Sequence, residues 1–207
     1  MKVAFVTLEG MDGSGKSTQV ALLREYLDEV GCRYVYFREP GGTRLGEEIR
    51  RVLLNPEFKE MRAEVEALLY AASRAQLVRQ AILPALAAGE TVVCDRFVDS
   101  SLAYQGYGGG LRVDAVREIN RFATGDLRPD LTLLFDLPLE QAFARWEHPP
   151  DRMEQKAEAF HRRVREGYLQ LASAEPDRIK LIDAGKPIPD VQREVRRHVA
   201  RALGLGG

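Results

Sequence analysis

Four residues near the N-terminus have the types and the spacing of a phosphate-binding loop (P-loop). Gly10 is followed after four residues by Gly15, Lys16 and Ser17, which satisfies the pattern GxxxxGK(S/T). Glycines allow successive N–H groups to point at one anion, and the N-terminus of a following helix adds partial positive charge. Lys16 is expected to reach the β and γ phosphates of a nucleotide, and Ser17 to ligate Mg²⁺. The residues expected to bind the phosphates are Gly10, Met11, Asp12, Gly13, Ser14, Gly15, Lys16, Ser17 and Thr18.

The segments around this loop follow the pattern of a parallel sheet with crossover helices. Stretches rich in β-branched and aromatic residues alternate with stretches of helical period, which is typical of an α/β fold. Strands are predicted at Val3–Glu9, Arg33–Phe37, Thr91–Asp95, Leu131–Asp136 and Ile179–Asp183. We therefore expect a five-stranded parallel sheet with helices on both faces, in one domain over residues 1–207.

Two of the intervening helices have clear sequence patterns. The helix after the loop collects on one face the apolar residues Val20, Leu23, Leu27 and Val30. A longer helix is predicted over Arg62–Gly89, and it should bend or end near Pro84 because proline lacks a backbone N–H.

Composition and charge limit the classes of protein and partner. The chain has 207 residues, of which 45% are hydrophobic and 29% charged, as in ordinary globular domains. Its 30 basic and 31 acidic residues give a formal charge of −1, so no global charge favours nucleic acid or an anionic membrane. No apolar stretch approaches the roughly 18 residues of a membrane span. Cys32 and Cys94 fit neither a disulfide framework nor a paired metal motif, and a reducing cytoplasm is expected.

The loop alone does not identify the phosphate acceptor, because GTPases, ATPases and small-molecule kinases all use it. Two segments follow predicted strands, REPGGT at Arg38–Thr43 and DRFVDSSLAYQG at Asp95–Gly106, and LLYAASRAQ lies on the long helix between them. The carboxyl ends of parallel strands lie at the same edge of a sheet, so a pocket is expected there beside the loop.

In order and spacing, the segments LEGMDGSGKST, FREPGGT, LLYAASRAQ, DRFVDSSLAYQG, DRMEQ and LIDA resemble the bacterial thymidylate kinase family. The resemblance runs from about Val3 to Asp183. It implies a P-loop NTPase fold with a short lid, and transfer of the γ-phosphoryl group of ATP to dTMP with Mg²⁺, giving dTDP and ADP for dTTP supply. It also implies a cytoplasmic homodimer, formed through the helices around Arg62–Ala88, without nucleic-acid or membrane partners.

The resemblance assigns the residues nearest the transferred phosphoryl group. Asp95 is expected to orient Mg²⁺ and Arg96 to clamp phosphate, since a guanidinium offers a planar fork of donors. One subclass of the family carries a further arginine in the P-loop, where this chain has Gly13. That arginine is therefore expected from the lid, at approximately residues 145–154, with Arg152 preferred because it lies in DRMEQ and Arg145 second. His148, in the same segment, is given no role.

Residues for the acceptor are assigned on the same basis. Tyr70 and Arg74 are four residues apart and share a helix face, which puts an aromatic ring beside a guanidinium as a pyrimidine requires. The resemblance places Arg74 at the base O4, and Ser101 and Gln105 on its N3 and O2 side. The remaining contacts are the acceptor phosphate for Arg50, the sugar 3′-hydroxyl for Asp12, the 2′ position for Tyr104, and the pocket wall for Arg38. The donor adenine is expected between the lid and the turn at Asp183–Lys186.

Competing interpretations exist for several of these residues. Asp95 and Arg96 could form a surface ion pair, Arg50 could be solvated, Tyr70 could pack in the core, and Asp12 could stabilise a turn. Another nucleotide or small-molecule P-loop kinase would lack the combination of Tyr70, Arg74, Ser101 and Gln105. A non-catalytic nucleotide-binding protein would be expected to lack Lys16, Asp95 or the lid arginines, all of which are present.

Overall fold

A computed structural model describes residues 1–145 and 151–205. The strands of this part of the chain are β1 Phe5–Gly10, β2 Tyr34–Arg38, β3 Thr91–Asp95, β4 Leu131–Asp136 and β5 Ile179–Asp183. The helices are α1 Lys16–Glu29, α2 Arg44–Leu54, α3 Ala63–Leu77, α4 Leu83–Ala87, α5 Val98–Ser101, α6 Val113–Thr124, α7 Leu139–Phe143, α8 Glu158–Ala174 and α9 Ile188–Ala202. Two π-helical segments, Val78–Ile82 and Leu102–Gly108, continue α3 and α5.

All five strands are parallel and lie in the order β2, β3, β1, β4, β5. The predicted α/β fold is confirmed, and the predicted bounds of β3, β4 and β5 match the structure. The central position of β1 brings the ends of three strands together, because Leu8 pairs with Asp95 on β3 and Gly10 pairs with Phe135 on β4. The loops after β1 and β3 are therefore neighbours at the carboxyl edge of the sheet.

The core fills both faces of the sheet because side chains alternate along each strand. Val6 and Leu8 pack with α1 and α9, whereas Phe5 packs on the opposite face with the long helix. The predicted apolar face of α1 is confirmed, since Val20, Leu23 and Leu27 are buried in this core.

The long helix predicted over Arg62–Gly89 is present as α3, a π-helical turn and α4, in continuous sequence. The predicted irregularity near Pro84 takes the form of that turn at Val78–Ile82, which ends two residues before the proline. This helix carries Tyr70 and Arg74 to the edge of the sheet where the P-loop lies. No helix among residues 1–145 and 151–205 is long and apolar enough to cross a membrane.

Candidate active site

The P-loop joins the end of β1 to the start of α1. Gly10, Gly13 and Gly15 have positive φ angles of 138°, 79° and 83°, which L side chains rarely adopt. A Cβ at Gly10 would also meet the carbonyl oxygen of Phe135 on β4. The loop therefore requires glycine at these positions. It runs directly into the N-terminus of α1, where unpaired backbone N–H groups favour an anion.

A cavity of about 730 Å³ lies against residues 12–18 of this loop. It is closed at the carboxyl ends of β2 and β3 by Arg38, Glu39, Asp95 and Arg96, from α2 by Arg50, and from the segments between α7 and α8 by Arg145 and Glu154. We call it the P-loop cavity. It continues into an outer cavity of about 340 Å³, which Ser14, Gly15, Thr18 and Arg145 also line and which is bounded by Ala184, Lys186 and Ile188. The outer cavity coincides with the position predicted for adenine, beside the turn that contains Ala184 and Lys186.

Lys16 is folded onto the loop that precedes it. Its Nζ donates to the carbonyl oxygens of Gly10 at 2.9 Å and Met11 at 3.0 Å. Burial, and after it the nearby charge of Arg96, lowers the pKa of the Lys16 ammonium to about 8, against the opposing effect of Asp95 and Asp12. An anion in the P-loop cavity would further favour the charged form of this buried ammonium.

Arg96 connects the P-loop to β3. It follows the last residue of β3 in a left-handed conformation with φ 70°, and its Nη1 donates to the carbonyl oxygen of Gly10 at 2.9 Å. Its Nη2 donates to Oδ1 of Asp12 at 2.7 Å, and the guanidinium lies over the ring of Tyr104. Two residues predicted for separate contacts thus form a salt bridge with each other, in which the Arg96 side chain is 16% exposed and the Asp12 side chain 38%.

Both carboxylate oxygens of Asp12 accept hydrogen bonds. Arg96 donates to Oδ1, and the hydroxyl of Tyr104 donates to Oδ2 at 3.3 Å. Burial alone would raise the pKa of the Asp12 carboxyl, but Arg96 and Lys16 lower it to about 2. The carboxylate is therefore ionised across the physiological range, and it remains beside the cavity as an acceptor.

Sequence reasoning missed Glu9, whose carboxyl contacts the same Ser100 and Tyr168 hydroxyls as Arg96. The Glu9 carboxyl is fully buried, and it accepts from the backbone N–H of Phe97 at 2.7 Å and from the hydroxyls of Ser100 at 2.5 Å and Tyr168 at 2.8 Å. Burial and the nearby charge of Asp99 raise the pKa of Glu9 to about 7. Glu9 stood in the quoted segment LEG, but a carboxyl on an apolar strand gave no sign of these distant partners.

Oxygen ligands suited to Mg²⁺ lie in the P-loop cavity. Ser17 and Asp95 both line it, and Oδ1 of Asp95 is buried without a hydrogen-bond partner among the described residues. An unpaired buried carboxylate oxygen is costly unless a ligand satisfies it, and hard divalent cations prefer oxygen ligands. The two residues predicted to hold the metal therefore fit such an ion.

The two lid arginines lie in different places. Arg145 is exposed and lines both the P-loop cavity and the outer cavity. Arg152 is buried, with Nε donating to the carbonyl oxygen of Leu53 at 2.6 Å and Nη1 donating to Glu66 at 2.8 Å. The sequence-based preference for Arg152 has no support from this geometry, because its donors face Glu66 and Leu53 rather than the P-loop. His148 and the rest of residues 146–150 of the expected lid lie outside the described residues.

An inner cavity adjoins the P-loop cavity on the side of α3. It is lined by seven of the eight residues predicted for the acceptor, namely Asp12, Arg50, Tyr70, Arg96, Ser101, Tyr104 and Gln105, and also by Leu54, Asp151 and Met153. Arg50 lines both cavities, and its Nη1 donates to the carbonyl oxygen of Pro40 at 3.1 Å. Arg38 lines the P-loop cavity but not the inner cavity. The structure thus brings aromatic, amide and guanidinium groups together as a nucleoside monophosphate would require.

Arg74 lies behind this cavity and is 1% exposed. Its Nε donates to Oε2 of Glu39 at 2.7 Å, and its Nη2 donates to the carbonyl oxygen of Phe97 at 2.9 Å. Its Nη1 donates to Ser101 and Asn120. The guanidinium is occupied by protein acceptors, so in this arrangement it supports Ser101 and Glu39 instead of facing the cavity. Glu39 was within the REPGGT motif, but nothing in the sequence pointed to Asn120.

A P-loop cavity that adjoins a second cavity lined by aromatic, amide and guanidinium groups is typical of the class of P-loop nucleoside monophosphate kinases. A family model described as thymidylate kinase matches residues 8–195, and the chain belongs to that family. A thymidylate kinase of Symbiobacterium thermophilum is 52% identical over 200 residues, covering 96% of this chain and 94% of its own length. That of Pelotomaculum thermopropionicum is 53% identical over 206 residues, covering 98% and 95%. A crystal structure of thymidylate kinase from Ehrlichia chaffeensis is 35% identical, with a TM-score of 0.78, covering 96% of this chain and 99% of that one.

Proposed function

We propose that this chain transfers the γ-phosphoryl group of ATP to the 5′-phosphate of dTMP, giving ADP and dTDP. The observation that carries the proposal is that the P-loop cavity and the inner cavity share four wall residues, Asp12, Glu39, Arg50 and Arg96. A donor phosphate on the P-loop and an acceptor phosphate in the inner cavity would meet between Arg50 and Arg96. The family membership favours this substrate pair over another nucleotide or small-molecule kinase reaction.

On the donor side, the N–H groups of residues 12–18 would hold the ATP phosphates. Lys16 would exchange its bonds to the loop carbonyls for the β and γ phosphates, and Arg145 would add a second positive charge from the lid. Charge on the transferred group is spread over its three equatorial oxygens, so cations on several sides stabilise it. We assign this donor-side role to Arg145, because its guanidinium lies beside Gly15 and lines both donor cavities.

Ser17 and Asp95 would hold Mg²⁺, directly or through water. When bound, this ion neutralises charge on the β and γ phosphate oxygens. The contribution of the chain itself is to hold Asp95 at the end of β3, with its buried Oδ1 left without a hydrogen-bond partner among the described residues and so available to the ion.

On the acceptor side, Arg50 and Arg96 would bind the dTMP phosphate. The ionised Asp12 would accept from the sugar 3′-hydroxyl, and the ring of Tyr104 would restrict the 2′ position. Tyr70 would stack on the base, with Ser101 and Gln105 at its polar edge. Phosphoryl transfer needs mainly positioning and charge stabilisation, so no side chain must act as a base with an unusual pKa.

We also propose that the chain forms a homodimer through the outer faces of α2, α3 and α6. Exposed apolar side chains lie on these three helices, namely Leu45, Val52, Val65, Leu68 and Phe122, of which Phe122 is 90% exposed. α3 packs against both α2 and α6, so these residues belong to neighbouring elements. An exposed apolar face on adjoining helices is typical of an interface between subunits.

A coupled assay of ADP formation with ATP and a panel of acceptors tests the activity. The panel contains dTMP, dUMP, dCMP, AMP and GMP, each with and without Mg²⁺. We expect the highest kcat/KM with dTMP, and no ADP formation without Mg²⁺. A higher kcat/KM with dCMP, AMP or GMP than with dTMP would overturn the proposal.

A further inference from the structure

We propose that Glu66 is the residue that makes the acceptor site selective for a base with an N3–H group, because its carboxylate fixes the orientation of the Gln105 amide. This inference rests on the proposed function, since it concerns the base of the acceptor nucleotide. Glu66 lines none of the P-loop, inner and outer cavities described above, so its role is to position Gln105.

Glu66 lies on α3, one turn before Tyr70, and is 1% exposed. Its Oε1 accepts from Nε2 of Gln105 at 2.9 Å, and its Oε2 accepts from Nη1 of Arg152 at 2.8 Å. Nζ of Lys156 lies 3.2 Å from Oε1 and 3.0 Å from Oε2. One buried carboxylate therefore joins a base-site residue to two cations, Arg152 within the expected lid and Lys156 just after it.

The two cations keep Glu66 ionised. Burial alone would raise the pKa of the Glu66 carboxyl, but Lys156 and the hydrogen bonds from Gln105 and Arg152 bring this pKa below its ordinary value. Arg152 is itself held by the carbonyl oxygen of Leu53, and the ammonium of Lys156 lies over the ring of Phe160. At neutral pH, Glu66 thus offers only hydrogen-bond acceptors.

An acceptor-only neighbour decides which end of the Gln105 amide faces it. The amide nitrogen donates and the amide oxygen accepts, so only the nitrogen can face the Glu66 carboxylate. Gln105 is 1% exposed and lines the inner cavity, which leaves its Oε1 as the amide atom offered to a ligand. Rotation of the amide would place two acceptor oxygens against each other in a buried site, which is unfavourable.

The orientation has a direct consequence for base selection. Thymine and uracil carry a hydrogen on N3 and can donate to an oxygen, whereas cytosine has an unprotonated acceptor at N3. A buried polar group that meets the wrong partner discriminates strongly, so a fixed Oε1 rejects cytosine. If the amide could rotate freely, it would present its nitrogen to cytosine and discrimination would be lost.

The test is the isosteric variant Glu66→Gln, with Glu64→Gln as the matched control on the exposed face of the same helix. The amide introduced in place of the Glu66 carboxylate can donate or accept, so Gln105 is free to turn over. We expect the ratio of kcat/KM for dTMP to that for dCMP to fall at least about tenfold, through KM, with the KM for ATP unchanged. Glu64→Gln should keep the wild-type ratio. An unchanged ratio in a folded Glu66→Gln protein overturns the assignment.

Because Glu66→Gln also removes the charge that faces Arg152 and Lys156, its melting temperature is compared with that of Glu64→Gln. The exchange variant Glu66→Gln with Gln105→Glu provides a second measurement. In it, the amide introduced on α3 donates to one oxygen of the carboxylate introduced beside the cavity. The other oxygen of that carboxylate faces the cavity, so the preference for dTMP over dCMP should return. A folded exchange variant without that preference overturns the inference.

A measurement on the wild-type protein needs no variant. The Nε2 protons of Gln105 should give a resonance typical of a hydrogen-bonded amide before ligand is added, and dTMP should leave them protected from solvent exchange. Protection that arises only when dTMP binds would overturn the assignment. If the wild-type protein does not phosphorylate dTMP at all, the proposed function fails, and this spectrum still reports on Glu66 and Gln105 independently.

Discussion

Arg96 donates to the carboxylate of Asp12 over 2.7 Å, and this ion pair joins the residue after β3 to the P-loop after β1. The same guanidinium holds the carbonyl oxygen of Gly10. Arg96 has a left-handed backbone, which is uncommon for a residue with a side chain and persists where the surroundings determine it. One pair of residues thus ties the proposed donor and acceptor sites to each other.

Replacing Asp12 by Asn should impair use of dTMP more than use of ATP. The variant keeps the shape of the side chain but removes the charge that pairs with Arg96 and accepts from the sugar. We expect kcat/KM for dTMP to fall roughly 10- to 100-fold, which corresponds to about 1.5–3 kcal/mol for a hydrogen bond to a charged group. Steady-state kinetics with each substrate varied would measure it, with the exposed Asp28→Asn on α1 as control. An equal rise in KM for both substrates would contradict the assignment of Asp12 to the sugar.

Arg145→Ala should lower kcat with little effect on folding. The side chain is exposed and lies at the P-loop, so its removal takes away positive charge without leaving a buried group unpaired. We expect kcat to fall about 100- to 1,000-fold, the usual effect of losing one group that stabilises transition-state charge. Arg145→Lys should recover part of this loss, whereas the exposed Arg62→Ala should leave kcat as it is. A wild-type kcat in Arg145→Ala would show that the positive charge comes from elsewhere.

Arg152→Ala should instead reduce stability and weaken dTMP binding. It leaves the buried Glu66 with one cation fewer, although Lys156 remains, so we expect the free energy of unfolding to fall by about 1–3 kcal/mol. Urea denaturation would measure this, and Arg162→Ala, which breaks an exposed ion pair on α8, should change it by less than about 1 kcal/mol. A large fall in kcat with stability unchanged would return Arg152 to the donor site.

Arg74→Ala should destabilise the protein and raise the KM for dTMP far more than that for ATP. The change leaves the Glu39 carboxylate buried without its cation, which typically costs about 3–5 kcal/mol. It also removes the donor that holds Ser101 at the inner cavity. Denaturation and two-substrate kinetics would separate the two effects. An equal rise of both KM values would show that Arg74 has no particular connection to the base.

The parts of the fold that were predictable from the sequence are those set by local patterns. The P-loop spacing indicated the phosphate site, and alternation of apolar strands with amphipathic helices indicated the parallel sheet. The inner cavity was expected from the three motifs REPGGT, LLYAASRAQ and DRFVDSSLAYQG, because a parallel topology brings them to one edge of the sheet. Partners of buried charges were not predictable, because Glu66 meets Arg152 across 86 positions and Arg74 meets Asn120 across 46. Short-range sequence patterns do not encode such pairs, so the sequence did not show that Arg152 faces Glu66. It did group Tyr70 and Gln105 in one site, and both line the inner cavity.

The buried carboxyl of Glu9 leads to a pH dependence of stability. Its pKa is about 7 in the folded protein against an ordinary value of 4.5, so between these values the folded state holds a proton that the unfolded state has lost. The free energy of unfolding must therefore fall as pH rises through this window. The contribution is present in full below pH 4.5 and is lost above pH 7, and it amounts to about 3 kcal/mol.

Glu9→Gln isolates this contribution, because glutamine resembles the protonated carboxyl and does not titrate. Asp12 does not interfere, since its pKa is lowered to about 2 and its own window lies below pH 3.8. The lowered pKa of His161 acts in the opposite sense, but it is common to both proteins. We expect the stability of the wild type relative to Glu9→Gln to fall by about 3 kcal/mol from pH 4.5 to pH 7, measured by urea denaturation. If the difference in stability between the two proteins does not change with pH, Glu9 is already ionised at pH 4.5. The hydroxyls of Ser100 and Tyr168 would then donate to a carboxylate that is charged across this whole pH range.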